Sequence, residues 1–215
     1  MDSELVAYYE RRARDYEAIY AKPERQADLG KLRKLIPAKL AGRNVLEVAC
    51  GTGYWTERVA PVAERVVAVD MAEETMRIAA AKPLPRDRVR FETADAYALP
   101  VSLGTFDAAF AGFWWSHVPR SRMGAFLGSL HRRLAPGARV VLLDNLYVEG
   151  SSTAIAGFDT EGNTFQVRRL ADGGTVRVMK NFPSETELRG DFTAHAADFE
   201  YLALEYYWLA SYTLK

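Results

Sequence analysis

Residues 45–56 constrain the fold more than any other part of the sequence. Five largely apolar residues run into a Gly-x-Gly turn, and an amphipathic segment with Trp55 and Val59 on one side follows. This order predicts a buried parallel strand, a tight turn and a helix. Gly51 and Gly53 suit such a turn, because glycine adopts positive φ and lets a ligand approach the backbone. Since the next helix begins with unpaired N–H groups, the stretch predicts a site for a nucleotide-like ligand.

Two residues of this stretch narrow the choice of ligand. A dinucleotide-binding turn requires a third glycine three residues after Gly53, and Thr56 stands there instead. Glu47 lies four residues before Gly51, where a carboxylate would repel a pyrophosphate. A carboxylate at this place suits a ligand with an ammonium or another positive group. The alternative is an ordinary strand-to-helix turn that binds no ligand.

The composition predicts one globular domain without a dedicated nucleic-acid or membrane function. The chain has 215 residues, of which 49% are hydrophobic, enough for a substantial core. Lys and Arg number 28 and Asp and Glu number 28, whereas nucleic-acid-binding proteins usually carry a basic excess. No apolar stretch approaches the roughly 20 residues of a membrane span, and no secretory signal is visible, so we expect a cytoplasmic protein. Cys50 is the lone cysteine, which rules out an internal disulfide and fits a packing residue better than a nucleophile.

Further candidates for ligand contacts follow the next predicted strands. Asp70 ends an apolar strand, 19 positions after Gly51. An open α/β sheet places there the acid that binds both ribose hydroxyls, although capping of the next helix is the alternative. The loop 112–119 follows the fourth strand, and ligands of parallel sheets lie beyond the carboxyl ends of the strands. We therefore expect this loop to border the reacting group with aromatic walls and one histidine, His117.

Two helices are predicted before the sheet. Tyrosines and aliphatic residues recur at helical spacing near the N-terminus, and a second helix is expected over residues 24–36, where Pro37 would end it. These helices lie within residues 1–40 and are in a position to cover the cofactor end of the sheet as a lid. Their tyrosines are either core contacts or ligand contacts, and the best ligand candidates are Tyr16 and Tyr20.

A two-stranded ribbon is predicted after the fifth strand. Residues 147–162 are polar and glycine-rich and predict a loop, and β-rich runs follow at 164–170 and 175–181, with an Asp-Gly turn between them. The expected register places Arg168 directly opposite Arg177, where like charges repel. An anionic substrate, a structural carboxylate from elsewhere or solvent exposure would each relieve that repulsion.

Taken together, these features resemble the class I S-adenosylmethionine (SAM) methyltransferases over roughly residues 8–144. The resemblance is carried by residues 47–53, by Asp70, by Asp95 after the third strand and by the aromatic loop. It implies an α/β fold with a Rossmann-like, mostly parallel seven-stranded sheet, helices on both faces and an antiparallel edge pair formed by the last two strands. It implies SAM as cofactor and S-adenosyl-L-homocysteine as product. Asp95 would accept a hydrogen bond from the adenine amino group, a plain loop role being the alternative. The cofactor-binding residues that the resemblance implies are Tyr16, Glu47, Ala49, Gly51, Thr52, Gly53, Trp55, Asp70, Met71, Asp95, Ala96 and Ala111.

The ribbon adds a closer similarity, to the small phosphonate O-methyltransferases of the dehydrophos type. It is carried by residues 51–56, by residues 116–119 and by the basic residues of the ribbon. This similarity implies an anionic group near Arg168 and Lys180, although the expected register puts Lys180 on the opposite face from Arg168. The substrate-binding residues predicted are Tyr20, Trp115, Arg168, Arg177 and Lys180.

These observations predict a SAM-dependent methyltransferase that acts on an oxygen of a small anionic acceptor, a carboxylate or a phosphonate. Arg168 would position that acceptor. His117 would be needed as a base only for a hydroxyl or amine acceptor, and otherwise packs the loop. The other interpretations are a nucleotide-binding oxidoreductase, whose third glycine is missing, and a non-catalytic SAM- or nucleotide-binding protein.

The expected organisation is a single SAM-methyltransferase domain of 215 residues. It has a helical lid at 1–40 and an inserted loop and β-hairpin cap at 146–183. Apart from the small-molecule acceptor, no nucleic-acid or membrane partner is expected, and the exposed ribbon would suit a homodimer contact. No metal site is expected, because the three histidines lie far apart in the sequence without ligand spacing: His117, His131 and His195.

Overall fold

A seven-stranded sheet forms the centre of the protein, which we describe from a computed structural model over residues 3–170 and 173–215. A second, three-stranded sheet follows the fifth strand of the chain. The strands are β1 (Asn44–Val48), β2 (Arg65–Asp70), β3 (Val89–Thr93), β4 (Phe106–Gly112), β5 (Leu134–Asn145), β6 (Ile155–Phe158), β7 (Thr164–Arg169), β8 (Thr175–Met179), β9 (Ala196–Ala203) and β10 (Tyr207–Leu214).

Helices precede, connect and follow these strands. The α-helices are α1 (Ser3–Arg12), α2 (Gln26–Leu40), α3 (Thr56–Val59), α4 (Glu73–Ala80), α5 (Met123–His131) and α6 (Glu185–Phe192). The 3-10 segments are Ala13–Ala21, Pro23–Arg25, Val101–Leu103, Trp115–His117 and Arg120–Arg122. Within the described ranges, no helix has both the length and the apolar character that crossing a membrane requires.

The order of the strands brings the predicted ligand loops together. The large sheet runs β3-β2-β1-β4-β5-β10-β9, with β1 to β5 parallel and β10 antiparallel to both of its neighbours. The predicted fold class is therefore confirmed. Because the strand order reverses between β1 and β4, the loops that leave these two strands diverge at the edge where open sheets bind ligands.

Both faces of the large sheet are covered, which explains why its strands read as continuous apolar runs. Val45 and Val66 face the side on which α2 buries Leu32 and Ile36, while alternate residues such as Leu46 face α5 and α6. Burial on both faces removes the polar alternation that a half-exposed strand would show.

The second helix departs from the sequence prediction, because α2 continues through Pro37 to Leu40. Proline removes one backbone hydrogen bond, but it stands in the last turn of this helix. Ile36 and Leu40 are each fully buried against the sheet. Packing of this apolar face outweighs the local preference to stop.

The small sheet departs from the prediction in two respects. The expected loop 147–162 contains a third strand, β6, which pairs with β7. The predicted register is also wrong by one residue, because Arg168 lies opposite Val176 and Val167 lies opposite Arg177.

The reason for the register lies in the length of the hairpin loop. The N–H of Leu170 donates to the carbonyl of Gly174 at 2.8 Å, and Gly173 has φ of +85°. Leu170 thus pairs with Gly174, which directly follows the left-handed Gly173, instead of with Thr175 as the sequence predicts. Residues 171 and 172 of the predicted turn lie outside the described residues. Since a one-residue shift exchanges the two faces of a strand, Lys180 joins the face of Arg168 and Arg177 leaves it.

Candidate functional site

The glycine turn after β1 is held by the carboxylate of Asp70. Its Oδ2 accepts a hydrogen bond from the Gly51 N–H at 2.8 Å, and its Oδ1 accepts from the N–H groups of Met71 at 2.7 Å and Ala72 at 2.9 Å. Gly51 has φ of +54°, a conformation that favours glycine. Asp70 thus ties the turn after β1 to the start of α4, and it also borders the cavity described next.

Gly53 has a packing role. A Cβ atom at this position would lie 2.8 Å from the Cβ of Ala79 on α4. The turn therefore approaches α4 more closely than any other residue type would allow. Gly53 also has φ of +74°, so both backbone conformation and space require glycine here.

A narrow cavity of about 50 Å³, here called the turn cavity, lies over this turn and the loop after β4. A recess of about 20 Å³ adjoins it and reaches the side chain of Glu47. The turn cavity is lined by Leu5, Val6, Tyr9, Tyr16, Ala49, Gly51, Asp70, Ala72, Thr75, Gly112, Phe113, Trp114 and His117. The N-terminal helix thus covers the ligand edge of the sheet.

Glu47 is a buried carboxyl group with an unsatisfied oxygen. Its side chain is 2% exposed, and its Oε2 has no hydrogen-bond partner among the described residues. Burial raises the pKa of Glu47 to about 8. A cationic group placed in the recess would stabilise the carboxylate and satisfy this oxygen.

Replacing Glu47 with glutamine is expected to change how stability depends on pH. Between about pH 4.5 and 8 the Glu47 carboxyl of the unfolded chain is ionised while that of the folded protein stays protonated. The free energy of unfolding of the wild type should therefore fall, relative to Glu47→Gln, as pH rises through this window. Each pKa unit corresponds to about 1.4 kcal/mol, so the change totals a few kcal/mol. Urea unfolding of both proteins at pH 5 to 8.5 measures it, and a constant difference would contradict the prediction.

A larger cavity of about 410 Å³, here called the large cavity, adjoins the turn cavity. The two cavities share Tyr9, Tyr16 and Phe113 as lining residues. Among the described lining residues none is acidic and six are basic: Arg12, Lys22, Arg25, Arg168, Arg169 and Lys180. This lining gives the large cavity an excess of positive charge beside the turn cavity, which favours an anionic ligand.

Arg168 reaches the large cavity from β7. Its guanidinium donates to the Tyr8 hydroxyl at 3.3 Å and to Oε1 of Gln166 at 2.9 Å. Its buried Nε has no hydrogen-bond partner, and no ion pair forms with it among the described residues. Arg168 therefore brings an uncompensated positive charge to the wall of the cavity.

Lys180 reaches the same cavity, but its charge is already matched. Its Nζ donates to Oδ1 of Asp144 at 2.9 Å and to the Ser116 hydroxyl at 2.6 Å. Burial lowers the pKa of Lys180, although Asp144 opposes this effect. Burial likewise disfavours the Asp144 carboxylate, but Lys180 and the Ser116 N–H together hold its pKa below the usual value. This buried ion pair joins the small sheet to the end of β5.

Arg25 is a further cation of the large cavity, and its side chain is 9% exposed. It donates to Oδ1 of Asn145 at 3.2 Å and to the Ser151 hydroxyl at 3.1 Å, and lies over the rings of Tyr206 and Tyr207. Its Nε has no partner, and no carboxylate of the described residues pairs with it.

His117 and Tyr9 form a hydrogen-bonded pair where the cavities meet. Nδ1 of His117 lies 2.7 Å from the Met179 carbonyl, so this nitrogen carries the proton and donates. Nε2 therefore accepts from the Tyr9 hydroxyl at 2.8 Å. Burial, and next the positive charge of Lys180, lower the pKa of His117 well below its usual value. The imidazole is neutral and its free electron pair is engaged by Tyr9.

The structure brings most, but not all, of the residues predicted from the sequence to these cavities. Predicted residues that line the turn cavity or its recess are Tyr16, Tyr20, Glu47, Ala49, Gly51, Thr52, Trp55, Asp70 and His117. Predicted residues that line the large cavity are Tyr16, Tyr20, Arg168 and Lys180. Predicted residues that line none of these spaces are Gly53, Met71, Asp95, Ala96, Ala111, Trp115 and Arg177.

Two of these placements correct the predicted substrate contacts. The 3-10 turn after β4 directs Trp115 into the core, where it packs on Phe192 with ring centroids 4.9 Å apart. Phe113 and Trp114 line the turn cavity instead. Arg177 is exposed and stacks on Phe165, because the observed register turns it away from Arg168.

Sequence reasoning also missed residues of the site. Tyr9 belongs to the helical tyrosine pattern, but spacing alone does not distinguish it from Tyr16. Gln166 stands two positions before Arg168, so both side chains lie on the same face of the strand. This spacing could have identified Gln166 as a neighbour of the predicted Arg168 site. Nothing in the local pattern identifies Arg25, because its partners lie more than 100 positions away.

The histidines are arranged differently from what their positions in the sequence indicate. His131 and His195 are neighbours, with ring centroids 5.0 Å apart, and Nε2 of His131 lies 2.7 Å from the Tyr212 hydroxyl. His117 lies apart from them at the cavities. The described residues contain no group of three or more candidate metal ligands.

Comparison with known proteins identifies one matching protein family and several similar structures. The family described as "Methyltransferase domain" matches residues 45–137. The structure of DhpI in complex with S-adenosylhomocysteine superposes with a TM-score of 0.78 and 30% sequence identity, covering 97% of this chain and 94% of DhpI. A second DhpI structure, a complex with SAM and the compound abbreviated HEP, gives a TM-score of 0.77 with 29% identity and covers 97% of this chain and 95% of that one.

Curated relatives match over a shorter stretch. The demethylmenaquinone methyltransferase of Clavibacter sepedonicus is 36% identical over 107 residues, which is 50% of this chain and 43% of the relative. That of Thermus thermophilus is 39% identical over 124 residues, 55% of each chain. The chain thus spans about half the length of the curated relatives that it matches.

Proposed function

This chain belongs to the class I SAM-dependent methyltransferases, and from that premise we propose that it methylates an oxygen atom of a small anionic acceptor. The observation that carries the proposal is the large cavity, which has six basic lining residues, no acidic one among those described, and three lining residues in common with the turn cavity. An acceptor bound there lies next to the place assigned to the methyl donor.

The residues around the turn cavity fit SAM. The unsatisfied Oε2 of Glu47 suits an ammonium group, and Gly51 lets a ligand approach the turn. Asp70 borders the cavity, although its oxygens already accept backbone hydrogen bonds. Leu5 and Val6 of α1 line this cavity, whose volume of about 50 Å³ is too small for SAM, so α1 would have to move for SAM to enter. This packing supports the role of residues 1–40 as a lid.

SAM, when bound, supplies a methyl group activated by a positively charged sulfur. The protein then has to orient the acceptor oxygen towards that methyl group and exclude water. Holding two reactants in line contributes roughly 7–11 kcal/mol to such a reaction. Arg168 would hold the acceptor, while Tyr9 and Tyr16 would bound the passage between the cavities.

An anionic oxygen needs no base, and the neutral, hydrogen-bonded His117 is consistent with this. We propose that His117 positions the Tyr9 hydroxyl through its Nε2. The alternative is a hydroxyl or amine acceptor, for which Tyr9 would relay a proton to His117. The hydrogen bond between the Tyr9 hydroxyl and His117 supports this alternative, because it provides a path for the proton.

Substitution of His117 by alanine separates these two roles. With a carboxylate acceptor, kcat should fall by less than about tenfold and the rate should stay flat between pH 6 and 9, because the acceptor is already ionised and no proton is removed. Base catalysis would instead give a loss of about 100-fold or more and remove a titration from the pH profile. Tyr9→Phe is the matched variant, and under the positioning role it should resemble His117→Ala.

The proposed function is tested by transfer of labelled methyl from SAM to a panel of carboxylates, phosphonates, phenols, amines and demethylmenaquinone. Transfer to the acids supports the proposal, and transfer to only the neutral acceptors overturns it. Calorimetry with SAM, S-adenosylhomocysteine and NAD tests the alternatives of an oxidoreductase and of a binding protein without activity. Binding of SAM with proton release at pH 7 would show that its ammonium lowers the pKa of Glu47.

A further inference from the structure

Two arginines of the large cavity, Arg25 and Arg168, have a buried Nε without a partner and form no ion pair with a carboxylate of the described residues. Arg168 extends from β7 and contacts Tyr8, whereas Arg25 extends from the N-terminal segment and contacts Asn145 and Ser151. The two side chains reach the cavity from different elements and have no hydrogen-bond partner in common.

Both guanidinium groups also keep an unsatisfied donor. The Nε atoms of Arg25 and Arg168 are buried without a partner. Removing an arginine from water without a counter-ion is unfavourable, and proteins ordinarily pair such groups. Lys180 shows the ordinary arrangement in the same cavity, since Asp144 neutralises it. Arg25 and Arg168 combine a buried, unpartnered Nε with the absence of such an ion pair, and they point to anions that arrive with a ligand.

Arg25 and Lys180 form hydrogen bonds with adjacent residues at the end of β5. Lys180 bonds to Asp144 and Arg25 bonds to Asn145. This part of the wall also presents the hydroxyl of Ser151. A volume of about 410 Å³ lies within the range of small-molecule sites, so a ligand with two functional groups has room to reach both arginines.

We propose that the acceptor carries two anionic groups, one held at Arg168 and a second at Arg25. This inference rests on the proposed function, in which the group at Arg168 supplies the oxygen that is methylated. The group at Arg25 stays unmodified and selects the acceptor, with Ser151 and Asn145 as neighbouring polar contacts. The substrate class is a small bifunctional acid, such as a phosphonate with a distal carboxylate.

Two matched compounds test the inference. One is 3-phosphonopropanoate, and the other is 3-phosphonopropanamide, which keeps the phosphonate but has an uncharged amide in place of the distal carboxylate. Binding to the protein loaded with S-adenosylhomocysteine is measured by calorimetry, and kcat/KM is measured with SAM. The wild type should bind the carboxylate at least about tenfold more tightly than the amide, the size of one charge-assisted hydrogen bond. The Arg25→Gln variant should lose this preference through weaker binding of the carboxylate alone, and Arg25→Lys should keep part of it.

The controls separate recognition from structure. Arg169 also lines the cavity but is exposed, so Arg169→Gln removes a charge there and should retain the preference. Equal binding of the two compounds by the wild type, binding of neither, or equal weakening of both by Arg25→Gln would overturn the inference. If the protein methylates acids with one anionic group as well as acids with two, the inference is refuted and the proposed function stands. If no acid in the panel is methylated, both the inference and the proposed function are contradicted.

Discussion

Replacing Arg168 with glutamine is expected to raise KM for an anionic acceptor by at least about 30-fold, with a smaller change in kcat. Truncating one partner of a buried, hydrogen-bonded charge pair costs about 2–5 kcal/mol, which sets this scale. The guanidinium is half-buried, keeps an unsatisfied Nε and has no carboxylate partner among the described residues, so the acceptor would be its counter-ion. Steady-state kinetics with saturating SAM measure the effect.

Arg177→Gln provides the matched control for this prediction. Arg177 lies on the adjacent strand and carries the same charge, but its side chain is exposed and stacks on Phe165 outside the large cavity. Its replacement should change KM by less than about twofold, because a surface charge contributes little. Equal effects of the two substitutions would indicate a general electrostatic attraction and would remove Arg168 from the acceptor site. Binding of SAM should be unchanged in both variants.

The second large effect concerns stability, and we expect it from Lys180→Met. This substitution leaves the fully buried carboxylate of Asp144 without its counter-ion. Breaking a buried ion pair from one side costs about 3–5 kcal/mol. For a domain of this size each kcal/mol lowers Tm by about 2–4 °C, so a decrease of roughly 6–20 °C is expected. Thermal unfolding followed by circular dichroism measures it.

Two further variants identify the cause of that loss. Combining Lys180→Met with Asp144→Asn removes both charges and keeps an oxygen for the Ser116 N–H, so much of the stability should return. Lys39 forms an exposed ion pair with Glu200, and Lys39→Met should change the free energy of unfolding by no more than about 1 kcal/mol. A double variant as unstable as Lys180→Met would assign the loss to packing of the lysine stem instead.

The sequence was sufficient for the features that depend on local patterns. Residues 45–56 specify a strand, a turn and a helix because apolar runs and glycines act over short distances, and the structure has these elements in that order. The same holds for the capping box at Ser184, because a serine followed three residues later by a glutamate is visible in the sequence and both hydrogen bonds to Glu187 are present. The parallel sheet follows from the alternation of such units along the chain.

Other features depended on packing between distant segments. Pro37 was expected to end α2, and burial of Leu40 carries the helix past it. Trp115 was expected at the substrate, and the 3-10 turn after β4 places it in the core. In both cases a local signal was outweighed by the gain from burying an apolar side chain.

The sequence by itself determined the family fold, the glycine turn and the presence of a basic ribbon. Only the tertiary structure decided which basic residues lie together at one cavity. The hairpin register brought Lys180 to the face of Arg168, Asp144 neutralised that lysine, and the N-terminal segment added Arg25 to the same wall. The physical reason is that the charge of a site depends on which groups meet across long sequence separations, and burial strengthens their interaction far beyond its value in water.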